Sequence, residues 1–351
     1  MLQFSLEKMK RLTKMLPCEK DNKSFFEKLQ SRQGLDLRDK RGKRHALGII
    51  LLEVVLAILS NRDGKMSSIH RHLEFHHEQL LDFLGLELKP CVSRSHLPIV
   101  LSKVSVSELD ALIFENYGVR LSEKQKKWFA ADGKELRGSI EKGAKRGEVV
   151  VQAVAHETGD TQSQNYYNGR KGSEVGTVRN LLAENELLGQ KISLDALHCK
   201  PKTLAMIVRE KGTYLVGLKK NQKELFHQME AMTHELGVKY GLESHEKKRG
   251  RITDRIYQVY DIRGVKVAER WDSSKFTRLV KVSRKTIEAK NRKETQETSY
   301  YLSNEKGKEK QLCEAVRGHW QVEVNNHLRD VTLAEDNLRT KKKRSVKPWQ
   351  N

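Results

Sequence analysis

The 351-residue chain carries 67 Lys and Arg against 46 Asp and Glu, a formal charge of +21, while only 37% of its residues are hydrophobic. A surplus of that size points to a polyanionic partner, nucleic acid first, with anionic membranes and acidic proteins behind it. The length allows two domains with their own cores, which argues against a disordered chain. Cys18, Cys91, Cys199 and Cys313 lie far apart with no C-x-x-C pair. This speaks against a disulfide framework or a zinc ribbon and fits a reducing compartment.

The first residues, MLQFSLEKMKRLTK, lack the apolar stretch and cleavage site of a secretory leader. The longest apolar run, Ala46 to Leu59, is interrupted by Glu53. It falls short of the roughly 20 residues a membrane span needs and reads as a buried helix. With IHRHLEFHHEQLLDFLGL and LPIVLSKVSVSELDALIFENYG it makes residues 1–120 a helical N-terminal domain. The expected location is the cytoplasm, with no membrane partner.

From Lys127 the pattern changes. WFAAD, EVVVQAVAHET and DTQSQNYY, with Gly133, Gly147 and Gly159 between them, read as three strands joined by tight turns. A helix is predicted from Ser173 to about Leu188, then a buried strand in KISLDALH. PKTLAMIVREKG (helix), TYLVGLK (strand) and QKELFHQMEAMTHELG (helix) follow. Three strands, then helix and strand alternating, is the element order of an RNase H-like α/β core. RITDRIYQVYDI, TRLVKVSRKTIEA and ETSYYLSN then suggest a β-rich basic insertion at about 245–305. A helix from about Lys308 to Asp330 resumes the core, and a basic tail, RTKKKRSVKPWQN, ends the chain. The second domain thus spans 121–351.

Candidate chemistry follows from the strand ends. Ligands of open α/β sheets collect beyond the carboxyl ends of the strands, where strand order reverses. Asp132 and Asp195 fall there, on the first and fourth strands. Taken alone, Asp132-Gly133 reads equally well as a tight turn, whereas an acid in the apolar run KISLDAL must be solvated, paired or functional. In GHWQVEVNNHLRD, helical spacing puts His319, Glu323, His327 and Asp330 on one face, with Trp320 and Asn326 beside it. A solvated face of i,i+4 pairs is the plainer alternative. Zinc binding by His319 and His327 is disfavoured by their spacing.

The strings DGKELRGS (Asp132 to Ser139), KGSE (Lys171 to Glu174), SLDALHCKPKTLAMIV (Ser193 to Val208), GTYLVGLKKNQKEL (Gly212 to Leu225), RGRITDR (Arg249 to Arg255) and RGHWQVEVNNHLRDVTLAED (Arg317 to Asp336) occur in that order. Together they resemble the H-repeat-associated, ISAs-type DDE transposases of bacterial insertion sequences. RHALGIILLEVVLAIL and SRSHLPIVLSKVS look like the helical domain that precedes their core, so the resemblance covers nearly the whole chain. The last motif departs from it: relatives commonly read E-N-x-x-H-W-x-x-D, and this chain has one residue fewer and no second Trp.

The resemblance implies a catalytic and metal-binding set of Asp132, Asp195 and Glu323 holding two Mg²⁺ ions, for which Mn²⁺ can substitute. It implies cleavage and strand transfer of an insertion sequence on the bacterial nucleoid. The implied partners are double-stranded DNA, namely terminal inverted repeats and target, and a second copy of the chain when assembled on DNA. Lys219, Lys220, Asn221 and Gln222 form a loop that reads equally as solvated or as holding a DNA phosphate, and Arg249, Arg251 and Arg255 a basic stretch that is read as a backbone contact rather than solvated surface only because of the total charge. Arg317, His319, Trp320, Asn326 and His327 complete the expected DNA contacts, Trp320 either stacking on an unpaired base or, as readily, packing the helix onto the sheet. Two other functions stay open: a shortened or inactive transposase-derived DNA-binding protein, and a nuclease that cleaves without joining.

Overall fold

A computed structural model describes residues 24–337 except 61–63, 118–120, 123, 141–142, 144, 168–172, 249, 289 and 291. Arg249, Lys171, Cys18, the leader region and the basic tail lie outside the described residues. The chain divides into two compact units, one of residues 1–119, 136–147 and 327–347, the other of 120–135, 148–326 and 348–351.

The first unit is helical: α1 (Phe25–Ser31), α2 (Leu47–Ser60), α3 (Met66–Phe83), α4 (Leu97–Leu101) and α5 (Val106–Tyr117). Ser24 and Glu27 form a capping box that starts α1. Leu35, Ile50, Leu73, Leu97, Val100 and Leu112 make its core. The acid in the apolar run has a partner there, since buried Glu53 lies 2.5 Å from Nδ1 of His77, whose Nε2 meets the Lys89 carbonyl at 2.8 Å. No helix among the described residues is long and apolar enough to cross a membrane.

In the second unit β1 (Trp128–Glu135), β2 (Val149–Ala155) and β3 (Thr161–Tyr167) are followed by α6 (Ser173–Glu184), β4 (Lys191–Leu194), α7 (Pro201–Arg209), β5 (Thr213–Leu218) and α8 (Lys223–Glu235). This is the order expected of an RNase H-like core. Gly133 does not close a turn. β1 runs through it, with Asp132 opposite Gln152 and Gly133 opposite Val151. β1 and β4 are parallel, in register from Trp128–Lys191 to Ala131–Leu194, and β4 is parallel to β5. β2 is wholly buried, consistent with its continuous Val/Ala run.

Four more strands follow: β6 (Tyr240–Lys248), β7 (Arg251–Asp261), β8 (Arg278–Glu288) and β9 (Glu294–Ser303). They do not interrupt the core sheet but extend it, in the order β3-β2-β1-β4-β5-β9-β8-β7-β6. β6 was not expected. Its exposed positions alternate with half-buried ones and it is rich in Lys and Glu, so it carries little apolar signal.

The late helix is two helices, α9 (Glu309–Gly318) and α10 (Trp320–His327). Gly318, beside the break, lies against His156, where a Cβ would come 2.1 Å from Nδ1 of the ring. Leu312, Cys313, Ala315 and Val316 of α9 pack on Leu215, Tyr257, Val259, Val280 and Val282. Burying a side chain of the Leu or Val kind contributes ~1.5–3 kcal/mol, so this face fixes α9 on the sheet. Arg278 at the start of β8 is fully buried and ties the same helix down, with Glu309 at 3.0 Å and Asp261 at 3.2 Å.

Candidate active site

The parallel register carries the geometry. Ala131 pairs with Leu194, so the next residues lie side by side, Asp132 still within β1 and not at its end as expected, and Asp195 just past the end of β4. β4 stops there, and Asp195 caps a single turn of 3-10 helix, Ala196–His198, by accepting from the Leu197 N–H at 2.9 Å. That turn is braced from the loop after β5: Asn221 Nδ2 donates to the Ala196 carbonyl at 2.7 Å and Gln222 Nε2 to the Cys199 carbonyl at 3.1 Å. These two residues of the expected phosphate loop therefore support the aspartate turn, while Lys219 and Lys220 are exposed.

Burial, and next the charge of Asp195, push the Asp132 carboxyl up to about 7, and the charge of Glu174 adds to the rise. Glu174 lies in the first turn of α6, within the KGSE string, where nothing local marks it as part of the site. Its carboxyl carbon would be 2.8 Å from a Cβ on Gly133, so the missing side chain there is what gives Glu174 room beside Asp132. His198 is fully buried, with Nε2 3.6 Å from Glu174 and 3.8 Å from Asp195. Neither of its ring nitrogens makes a hydrogen bond.

The other wall of the site is α10. Ser193, two residues before Asp195, bonds His319 Nδ1 at 2.9 Å and His156 Nε2 at 2.8 Å. Burial lowers His319 to about 4 and His156 to about 3, so both imidazoles are neutral at physiological pH. Val322 packs on Ala130 and Val154. Asn326 accepts from Gln152 at 2.6 Å, and Gln152 sits directly opposite Asp132. His319, Glu323 and Asn326 share one helical stripe. Glu323 thus stands between two anchors, one beside Asp195 and one beside Asp132. Burial raises its pKa, opposed by the charges of Lys219 and then Arg284.

Among the described residues no three His, Cys, Asp or Glu side chains are close enough to hold a metal ion. The aspartate pair is formed, and Glu323 does not close a cage on it in this conformation. The donor set nonetheless fits a hard divalent cation: two adjacent carboxylates, one with a raised pKa, are relieved by positive charge between them.

Trp320 is exposed on one side and carries the Arg284 guanidinium 5.8 Å from its ring centre. Arg255 and Arg317 both pair with Glu246, at 3.3 and 2.7 Å, and Arg251 pairs with Glu288 at 3.3 Å. His327 is exposed at the end of α10.

Residues 119–348 match the family described as Transposase DDE domain. The chain is 26% identical over 329 residues to a protein of Escherichia coli O157:H7 named "Putative transposase YncI", covering 88% of this chain and 80% of that one. It is likewise 26% identical over 324 residues to "H repeat-associated putative transposase YhhI" of Escherichia coli K12, covering 88% of this chain and 82% of that one.

Proposed function

Given that the chain belongs to the family of transposases with a DDE domain, we propose that it cleaves DNA and transfers the cut strand at the site around Asp132 and Asp195, with Glu323 as third acid. The observation that carries this reading is the strand register that sets two carboxylates side by side. Asp132, Asp195 and Glu323 would hold the divalent cations, Mg²⁺ or Mn²⁺, whose Lewis acidity a phosphodiester displacement needs.

The chain's own residues supply position and exclusion. Neutral His319 and His156, joined through Ser193, seat α10 over β4 without adding charge beside the acids. Asn221 and Gln222 keep the Asp195 turn from moving. Exposed Lys219 and Lys220 stand at the end of β5, where a phosphate of the DNA backbone would be held near the acids. Trp320, half of it facing solvent, offers a surface on which a base released from its pair can stack. Arg251, Arg255 and Arg317, each already paired with a glutamate, would exchange that partner for backbone phosphates.

The open cage also supports a second reading, a transposase-derived protein that binds DNA without cutting it. One experiment separates the two. The full chain is incubated with Mg²⁺ and a duplex carrying the ends of its own element, and nicked and joined strands are scored on a denaturing gel. Cleavage and joining are expected. Asp132→Asn and Asp195→Asn should abolish both while leaving DNA binding intact. Full cleavage by either variant defeats the assignment, and binding without cleavage by the unaltered chain selects the second reading.

A further inference from the structure

The end of the sheet away from the two aspartates carries a pocket that the proposed chemistry does not use. Trp128, Lys191 and Thr213, the first residues of β1, β4 and β5, line it together with the segment 124–127 and the side of α9 that carries Gln311 and Glu314. Asp132 lies further along β1 than Trp128 by roughly 13 Å at the rise of an extended strand. The cavity holds about 720 Å³, within the range of sites for small molecules.

Five lysines, Lys124, Lys126, Lys127, Lys191 and Lys308, stand in the lining, with no arginine among its described residues. Three acids oppose them, Glu157, Glu305 and Glu314. Two of these acids are already engaged: Glu157 pairs with Lys127 at 3.8 Å, and Glu305 accepts from the backbone N–H groups of Lys306 and Gly307. Lys126 donates to the Lys211 carbonyl. The side chains of Lys124 and Lys308 have no ion pair or hydrogen bond among the described residues. His156, also in the lining, adds no charge, because burial lowers it to about 3.

Lys191 is the independent sign of a ligand. It is only 8% exposed, yet its partners are an amide and an indole: Nζ donates to Gln311 Oε1 at 2.7 Å and lies 5.8 Å from the centre of the Trp128 ring. No acid is its ion-pair partner among the described residues. Burial, and next the charge of Lys308, lower its pKa. A buried ammonium without a counter-ion is costly to keep. Trp128 beside it has an indole N–H that is likewise buried with no acceptor. An anion in the pocket supplies the missing counter-charge.

We propose that this pocket is a phosphomonoester site in which Lys191 and Lys308 hold the phosphate oxygens. The surplus of five lysines over three glutamates matches the dianion. Separate ammonium groups act as point charges toward phosphate, whereas the planar fork that clamps a carboxylate belongs to arginine. The rest of the cavity admits the nucleoside that carries the phosphate, either a free nucleotide or the terminal nucleotide of a phosphorylated DNA strand. Binding here requires neither the aspartates nor a metal ion.

The test is isothermal titration calorimetry of the full chain in buffer with chelator. The probes are deoxyadenosine 5′-monophosphate, deoxyadenosine, inorganic phosphate, and a short single strand bearing either a 5′-phosphate or a 5′-hydroxyl. The monophosphate should bind, inorganic phosphate should compete with it, and deoxyadenosine should not bind. Lys191→Met keeps the stem and removes the charge, and should weaken the monophosphate by about tenfold or more. Lys308→Ala should weaken it several-fold and Lys308→Arg should retain it. Lys308 is exposed, so this pair decides the matter even where Lys191→Met does not fold. Glu314→Gln removes a repelling charge and should tighten binding, which a purely structural role for these residues does not predict. A preference for the 5′-phosphate strand over the 5′-hydroxyl strand assigns the site to a DNA end, and equal binding of the two strands beside binding of the monophosphate assigns it to a free nucleotide. The proposal is overturned if no phosphate probe binds, if deoxyadenosine binds as tightly as its monophosphate, or if Lys191→Met and Lys308→Ala bind the monophosphate like the unaltered chain.

Discussion

Replacing Asp132 with Asn should make the metal-free protein more stable, and the gain should depend on pH. Burial and the Asp195 charge push the Asp132 carboxyl from 3.8 up to about 7. Between those values the folded chain holds a proton that the unfolded chain has lost, so stability falls as pH rises from about 4 to about 7 and the penalty is complete above that. Some three pH units at 1.36 kcal/mol each set a ceiling of ~4 kcal/mol. The carboxyl is only partly buried, and solvent screening brings the expected figure to ~2 kcal/mol. Asn has the same shape and no charge to lose. Thermal denaturation in buffer with chelator should show the variant and the unaltered chain melting together near pH 4. The variant should then pull ahead by roughly 4–8 °C at pH 8. Mg²⁺ at pH 8 should raise the unaltered chain and leave the variant where it is. A gap that does not change with pH, or a variant less stable at pH 8, would refute the argument that Asp132 pays for its place beside Asp195.

Ser193→Ala removes the hydroxyl shared by His156 and His319 and leaves two buried imidazole nitrogens unsatisfied. Urea denaturation should show a loss of about 1–3 kcal/mol, with DNA cleavage reduced because α10 loses its seat. Arg278→Met removes the fully buried guanidinium shared by Asp261 and Glu309, but both acids keep Lys239 and Asp261 also keeps Arg263, so the expected loss is about 1–3 kcal/mol. A midpoint within error of the unaltered chain would show that this cluster does not hold α9. The logarithm of DNA affinity should fall linearly as log salt rises, with a slope of about 0.9 per phosphate contacted. A flat line from fluorescence anisotropy would assign the +21 charge to some other purpose.

The sequence revealed what depends on local pattern. Strand–helix alternation and the positions of Asp132 and Asp195 were readable because continuous apolar runs and Gly breaks mark β1, β2, β4 and β5. What depended on distant parts of the chain was not. Gly133 looked like a turn former, and its real reason is the carboxylate of Glu174, a residue 41 positions away that itself resembled an ordinary acidic first turn. Gly318 gave no warning inside a helix-periodic stretch, because the ring it must clear belongs to His156. Asn221 and Gln222 read as ligands for phosphate, since nothing local shows that the Ala196–Cys199 turn would use their amides. β6 escaped because an exposed strand with alternating charges has no apolar face to announce it.

The single sheet has a consequence for how the protein can be cut down or decorated. β9 covers the flank of β5, and Tyr257, Val259, Val280 and Val282 are the floor on which α9 rests. Deleting 240–303 to obtain a minimal catalytic fragment would bare a fully buried strand as a sticky edge and take away the support of the helix pair that carries Glu323. The ribbon is thus a foundation of the catalytic half and not a detachable module. Tolerance to added sequence belongs at its far end, in the turns from β6 to β7 and from β8 to β9, and a tag or reporter placed there touches no strand beneath α9.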